Sequence, residues 1–118
     1  MIVFEAPFPV SLNQAYRAVK VKNFCTIKLS EDGRAYKKLV KQKVKTLPSL
    51  LEGNLSFTIR AFEPSRHRRD CDNLVKLVQD ALIGIIYEDD AQIHELHVYK
   101  MGLDKENPRL EITIDKIV

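Results

Sequence analysis

Leu55, Phe57, Ile59 and Ala61 alternate with Ser56, Thr58, Arg60 and Phe62, the two-residue period of a half-buried strand. Tyr36, Leu39, Val40, Val44 and Leu47 recur instead at a 3.6-residue period, which predicts a helix with one apolar stripe. Ser30, followed by Glu31 and Asp32, starts that helix with an acceptor cap and an acidic first turn. A second helix is predicted from Asn73 to about Ile85. Leu74, Val75, Leu77, Val78, Ala81, Leu82 and Ile85 share its apolar arc, and Asn73, Lys76, Gln79 and Asp80 lie opposite. Ile83 falls on the polar side, and Gly84 punctuates the end.

Shorter strands are expected at Ile2 to Phe4, ended by Pro7 and Pro9, at Phe24 to Leu29, at Ile93 to Met101, and where Leu110, Ile112 and Ile114 alternate with polar residues. Ser11 to Lys22 reads as a loop, and Pro48 and Gly53 bracket a connector. Strand, helix and strand from Leu55 to Met101 make a right-handed βαβ unit the natural topology. That places the acidic segment at the carboxyl end of a strand, where open α/β sheets bind ligands. The last strand is expected to run antiparallel to its predecessor. The fold class is α+β: a small mixed sheet of four to five strands with two helices, in one domain spanning residues 1–118.

Length and composition narrow the setting. A chain of 118 residues can bury one core without disulfide or metal staples. Cys25 and Cys71 lack metal-type spacing and read as reduced, structural thiols. No apolar run approaches the roughly 20 residues of a membrane span, and the N-terminus carries no secretory pattern. An intracellular, cytoplasmic protein without a membrane partner is expected. The net charge of +3 hides an asymmetry: 14 Lys and Arg face 5 Asp and Glu over residues 1–69, against 5 and 11 over residues 70–118. A basic half that grips phosphates and an acidic half that holds cations would account for it.

The candidate chemistry is concentrated in residues 66–90. Arg66, His67, Arg68 and Arg69 precede Asp70 and Asp72, whose side chains project to one side if the backbone there is extended. Asp72 also suits the N-cap of the second helix. Asp72, Lys76 and Asp80 follow at i, i+4 and i+8, along one helix edge. Glu88, Asp89 and Asp90 sit in a loop; folded back over the helix start, it would add a third carboxylate. Hard oxygen donors of this kind prefer Mg²⁺ or Mn²⁺ to zinc. Each residue alone has a plainer reading: Asp72 as a cap, Asp89 and Asp90 as turn residues. Asp80 could pair with Lys76 or touch a second metal. His94 and His97, three apart in a strand, face opposite sides and cannot chelate together. Arg17 beside Tyr16 and Phe24 near Lys22 mix base with aromatic in a way that suits nucleic acid, and the lysine-rich face of the first helix, with Lys37, Lys38 and Lys41, is a candidate DNA contact given the charge asymmetry.

The string R-D-C-D-N-L-V-K at 69–76, with D-A-L-I-G at 80–84 and D-D-A-Q-I at 89–93, resembles the RusA family of Holliday-junction resolvases. Pro9, Ser11, Asn13 and Tyr16 resemble that family's opening motif, and Ser30, Gly33, Ala35, Tyr36 and Lys37 its first helix. The resemblance implies a homodimeric, Mg²⁺-dependent endonuclease of bacterial or phage context. Such an enzyme cuts four-way DNA junctions by paired symmetric hydrolysis in recombination and repair, with Mn²⁺ a possible substitute and no organic cofactor. It assigns Asp70, Asp72 and Asp90 as catalytic metal ligands and Lys76 as the essential lysine. Asn73, Asp80 and Asp89 would orient these groups, while Arg17, Lys37, Lys38, Lys41, Arg66, Arg68 and Arg69 would hold DNA. Cys71, His67 and Val10 depart from the pattern at positions that supply no ligand. The alternatives are a nuclease acting on flaps or other branched DNA, and a non-catalytic branched-DNA-binding module whose carboxylates serve as caps and ion pairs.

Overall fold

The alternating segment at residues 55–62 becomes the strand around which the others assemble. The computed structural model describes every residue except Asn23, and not the side chains of Leu12, Asn13, Val21 and Phe24; expectations for the side chains of Phe24 and Asn13 therefore lie outside what is described. In chain order the elements are β1 (Ile2–Pro7), α1 (Leu12–Ala15), β2 (Tyr16–Val21), β3 (Phe24–Leu29), α2 (Glu31–Lys43), β4 (Leu55–Glu63), α3 (Lys76–Ala81), β5 (Ile93–Leu103) and β6 (Arg109–Lys116), with 3₁₀ turns at Cys71–Leu74 and Asp90–Gln92. This is an α+β arrangement: a four-stranded mixed sheet ordered β1-β6-β4-β5, a separate β2-β3 sheet, and two helices longer than one turn.

β4 lies inside the sheet because one of its faces is wholly apolar. Leu55, Phe57, Ile59 and Ala61 are completely buried, as are Leu110, Ile112 and Ile114 of β6. The register sets Phe57 beside Ile114, Ile59 beside Ile112 and Ala61 beside Leu110, so one continuous surface faces the helices. Each large side chain removed from water there contributes about 2 kcal/mol. Leu77, Val78 and Leu82, together with Tyr36 and Val40 of α2, join the same cluster. β5 pairs parallel to β4, as the βαβ reading requires. β6 does run antiparallel to it, but on the far side of β4 and not next to β5.

Two expectations about local structure are corrected. The Ser11 to Lys22 loop is instead a helical turn followed by β2, which pairs antiparallel with β3 from Tyr16–Leu29 to Val21–Phe24. Pairing satisfies backbone groups that a loop would leave to water. The single helix over 73–85 is also broken. Cys71–Leu74 winds as 3₁₀, Val75 interrupts at φ −106° and ψ −57°, and α3 covers only Lys76–Ala81. Asp72 is no cap: Asp70 occupies the cap position of the 3₁₀ turn, without a side-chain bond. Lacking one, the chain tightens into Asn73 N–H to Asp70 C=O at 3.1 Å and Val75 N–H to Asp72 C=O at 3.4 Å, the short-range bonds that serve a helix start without a cap. The apolar arc survives the break, because Leu74, Val75, Leu77, Val78, Ala81, Leu82 and Ile85 are all buried. Ile83 is 41% exposed. Gly84 lies beyond the helix end at φ +81°, a left-handed turn suited to glycine.

The start of α2 fixes the root of the β2–β3 hairpin. The Ser30 hydroxyl accepts from Gly33 N–H at 3.1 Å and itself donates to the Gln14 carbonyl. Ser30 N–H donates to the Ala15 carbonyl at 2.6 Å. A Cβ on Gly33 would stand 2.6 Å from both that carbonyl oxygen and Leu29 Cδ1, so only glycine allows the approach. Helix propensity alone would have Gly33→Ala stabilise by up to about 1 kcal/mol. The collision should reverse the sign and cost about 1–3 kcal/mol, read as a lower denaturation midpoint; an unchanged or raised midpoint would show that the hairpin root yields freely.

Candidate active site

Four side chains from distant parts of the chain meet beside α3. The i, i+4 pair on that helix brings Lys76 Nζ to 3.2 Å from Asp80 Oδ1. Lys76 Nζ also lies 4.0 Å from Asp90 Oδ2, and the Tyr16 hydroxyl, at the first residue of β2, donates to Asp80 Oδ2. Both Asp80 oxygens are thus engaged. Burial alone would raise the Asp80 carboxyl, but the hydrogen bonds from Tyr16 and Lys76 outweigh it and hold the group below its ordinary range. Asp90 is pushed the other way, by burial and by the Asp80 carboxylate, with Lys76 opposing. Burial, then the bond to Asp80, raises the Tyr16 phenol.

Asp90 is held there by a small hydrogen-bonded frame. Asp89 caps the turn that carries it, accepting from Ala91 N–H at 3.0 Å. Gln92 completes a capping box: its Oε1 accepts from the N–H groups of Glu88 at 3.1 Å and Asp89 at 3.0 Å. Its Nε2 donates to the carbonyls of Leu51 at 2.9 Å and Gly53 at 3.1 Å, tying the turn to the connector before β4. In the sequence, the D-D-x-Q spacing is the signal of this frame.

The basic segment is arranged differently. Arg69 is committed internally, donating to the Ser65 carbonyl at 3.2 Å, the Ser65 hydroxyl at 3.0 Å and the His67 carbonyl at 3.1 Å. Its guanidinium lies 3.8 Å from Glu63 and 5.3 Å from the centre of the Phe8 ring. From β5, Lys100 Nζ donates to the Arg69 carbonyl at 2.7 Å. Nothing in the sequence pattern singled out Lys100 or Phe8. Arg66 and Arg68 are exposed and form no ion pair among the described residues, and the same holds for Asp70 and Asp72. Asn73 lines a cleft of about 730 Å³ with Arg68, Arg69, His67 and Phe8.

The expected site residues therefore fall into two groups. Asp70 and Asp72 follow the carboxyl end of β4, whereas Asp90 precedes β5, whose start pairs with the start of β4. Among the described residues no three His, Cys, Asp or Glu side chains stand close enough to share a metal ion. Around Asp80 the basic residues do converge: Arg17 and Lys76 line a groove with Tyr16 and Ile27, and Lys37 and Lys41 line another that also reaches Asp80. Lys38 is exposed on α2. Both cysteines are free and exposed rather than packed, and no described helix is long and apolar enough to cross a membrane.

A lysine held between two carboxylates, with basic grooves beside it, is suited to phosphate-ester chemistry in a nuclease. The family model described as Endodeoxyribonuclease RusA matches residues 7–115. The chain is 34% identical over 116 residues to the crossover junction endodeoxyribonuclease RusA of Escherichia coli K12, covering 94% of this chain and 91% of that protein. It is 35% identical, with the same coverage, to the crossover junction endodeoxyribonuclease of Enterobacteria phage 82. Against that of phage HK97 the identity is 31% over 117 residues, 97% of this chain and 93% of the relative. The chain belongs to the RusA endodeoxyribonuclease family.

Asp70, Asp72 and Asp90 offer the hard oxygen donors that Mg²⁺ takes, but among the described residues of one chain they do not gather into a complete metal site. The frame around Asp90 gives a direct prediction. Gln92→Ala should cost about 2 kcal/mol of stability, since it removes bonds worth about 1 kcal/mol each and leaves partners unsatisfied. Amide exchange at Glu88 and Asp89 should quicken; exchange at the wild-type rate would mean that Gln92 does not hold the turn.

Proposed function

We propose that this chain is a structure-selective endodeoxyribonuclease that resolves Holliday junctions by paired symmetric cuts, in DNA recombination and repair. It acts inside the cell as a single-domain homodimer on branched DNA, uses Mg²⁺ with Mn²⁺ as a substitute, and needs no organic cofactor. The observation that carries this reading is the Lys76, Asp80 and Asp90 cluster, flanked by basic grooves, in a chain that matches junction endonucleases along nearly all of its length. The alternatives of a flap nuclease and of a binding module lack an observation of their own.

In this reading Asp70, Asp72 and Asp90 are the cation ligands. The chemistry a divalent cation supplies is activation of water and neutralisation of charge on the scissile phosphate. Lys76 places a fixed ammonium where negative charge grows in the transition state. Asn73, Asp80 and Asp89 orient these groups, and Arg17, Lys37, Lys38, Lys41, Arg66 and Arg68 take the DNA backbone. Arg69 shapes the segment that presents them.

A second copy of the chain would bring a second set of the same carboxylates, which a single chain does not gather. β5 is suited to receive it: this strand ends the sheet, and Leu96, Tyr99, Met101 and Leu103 on it are 41–51% exposed. An uncovered edge of this kind invites pairing. Leu96→Lys should therefore shift the protein from dimer to monomer in sedimentation and lower cleavage with it; a dimer that survives would place the interface elsewhere.

Purified protein mixed with a synthetic four-way junction should produce paired symmetric nicks with Mg²⁺ and none with EDTA. Asp72→Asn should abolish the cuts while keeping junction binding, and affinity should fall steeply between about 50 and 200 mM salt. Tight binding without cuts in any divalent cation would overturn the enzymatic reading, and equal cutting of linear duplex would overturn the structural selectivity.

A further inference from the structure

We infer that Tyr16 is a positioning residue for Lys76: its hydroxyl fixes the Asp80 carboxylate, which in turn holds the lysine ammonium against Asp90. This rests on the proposed function, in which Lys76 serves the reaction.

The ion pair on α3 is too weak to place Lys76 unaided. Asp80 is only 14% exposed, but the lysine end of the pair stands in water; at such an open end an i, i+4 pair contributes about 0.3–0.5 kcal/mol, and an acid C-terminal to the lysine is the poorer order. That bias corresponds to a population ratio of only about twofold at room temperature. The Lys76 side chain is 55% exposed, so an unassisted ammonium would be spread over many rotamers. Tyr16 alters this by occupying Asp80 Oδ2, which stops the carboxylate from rotating and leaves Oδ1 turned to Lys76.

Tyr16 can act in this way because its own position is fixed from two sides. The preceding residue, Ala15, is fully buried, and its carbonyl accepts from Ser30 at the start of α2. Gly33 lets that carbonyl approach more closely than any side chain would permit. On the other side, β2 and β3 are in register from Tyr16 and Leu29 onward. The hydroxyl is therefore aimed at Asp80 from a rigid root. The hairpin that rises from this root also carries exposed Arg17, Lys20, Lys22 and Lys28, so the element that would meet DNA and the group that orders Lys76 belong to one unit.

The test compares Tyr16→Phe, Asp80→Asn and the double variant, first without metal or DNA. With ¹⁵N-labelled lysine, the Lys76 ammonium signal, assigned by its loss in Lys76→Arg, should be resolved in the wild type and broadened in both single variants. Their thermal midpoints should fall by no more than several degrees, the cost of one hydrogen bond, with the unfolding transition still cooperative. In single-turnover cleavage of a four-way junction, Tyr16→Phe should slow the cut about tenfold, the equivalent of one charge-assisted hydrogen bond, with junction affinity changed less than twofold. The double variant should cut no more slowly than Asp80→Asn alone.

An unchanged Lys76 signal in Tyr16→Phe would overturn the inference. So would slowing that adds to that of Asp80→Asn, or a loss of affinity in place of rate, which would make Tyr16 a DNA contact. If Tyr16→Phe fails to fold, the Asp80→Asn signal decides whether Asp80 holds the lysine at all. Should the wild type not cut junctions, the proposed function fails while the ammonium comparison still reports on the positioning.

Discussion

The geometry of the site depends on how α3 is buried. Leu77, Val78 and Leu82 are fully enclosed in the same apolar cluster as the inner faces of β4 and β6, which leaves the helix one rotation about its axis. Turning it to free Lys76 further would bring Leu77 or Val78 to water at about 2 kcal/mol each, several times what any exposed ion pair returns. The polar edge with Lys76 and Asp80 is therefore set by apolar packing, and electrostatics only selects what gathers there. Tyr87 reinforces the arrangement: its ring meets Phe57 edge-on with centres 6.5 Å apart, and its hydroxyl donates to the Gln79 carbonyl at 2.7 Å.

Elements with a strong local period were legible in the sequence. The alternation at Leu55 to Phe62 and the apolar arc of residues 74–85 report burial through spacing, the Ser30 cap reports a helix start through its acceptor side chain, and each reappears in the structure. β2 was not legible. Tyr16, Arg17, Ala18 and Lys20 show no clean alternation, and β2 pairs along its whole length with β3 in a two-stranded sheet apart from the core sheet, so no half-buried pattern marks it. The break at Val75 was hidden for a different reason. Periodicity records which side chains face inward, whereas the break comes from the extended backbone at Asp70 entering a helix without a cap.

For the site, the motif residues could be picked out by type, but their grouping could not. Lys76 and Asp80 are four apart, so their pairing follows from helix geometry. Tyr16 and Asp80 are 64 residues apart, and nothing local links them. The same distance effect separates the carboxylates: Asp70 and Asp72 emerge after β4, while Asp90 is anchored before β5 by Gln92 through Leu51 and Gly53. A linear motif lists them together, whereas in the fold they arrive from different elements.

The charges then explain why the surroundings are basic. Lys76 stands against Asp80 and Asp90, one cation to two acids. A phosphodiester approaching such a group meets net repulsion, and water screens it only partly in a groove. Arg17 on one side of Asp80 and Lys37 with Lys41 on the other supply the opposing field at the rim, where long flexible cations can follow a moving backbone. Arg69, by contrast, spends its donors on Ser65 and His67, keeping Arg66 and Arg68 on a fixed platform. Around Asp80 and Asp90, acids from the second half of the chain and bases from the first are thus folded side by side.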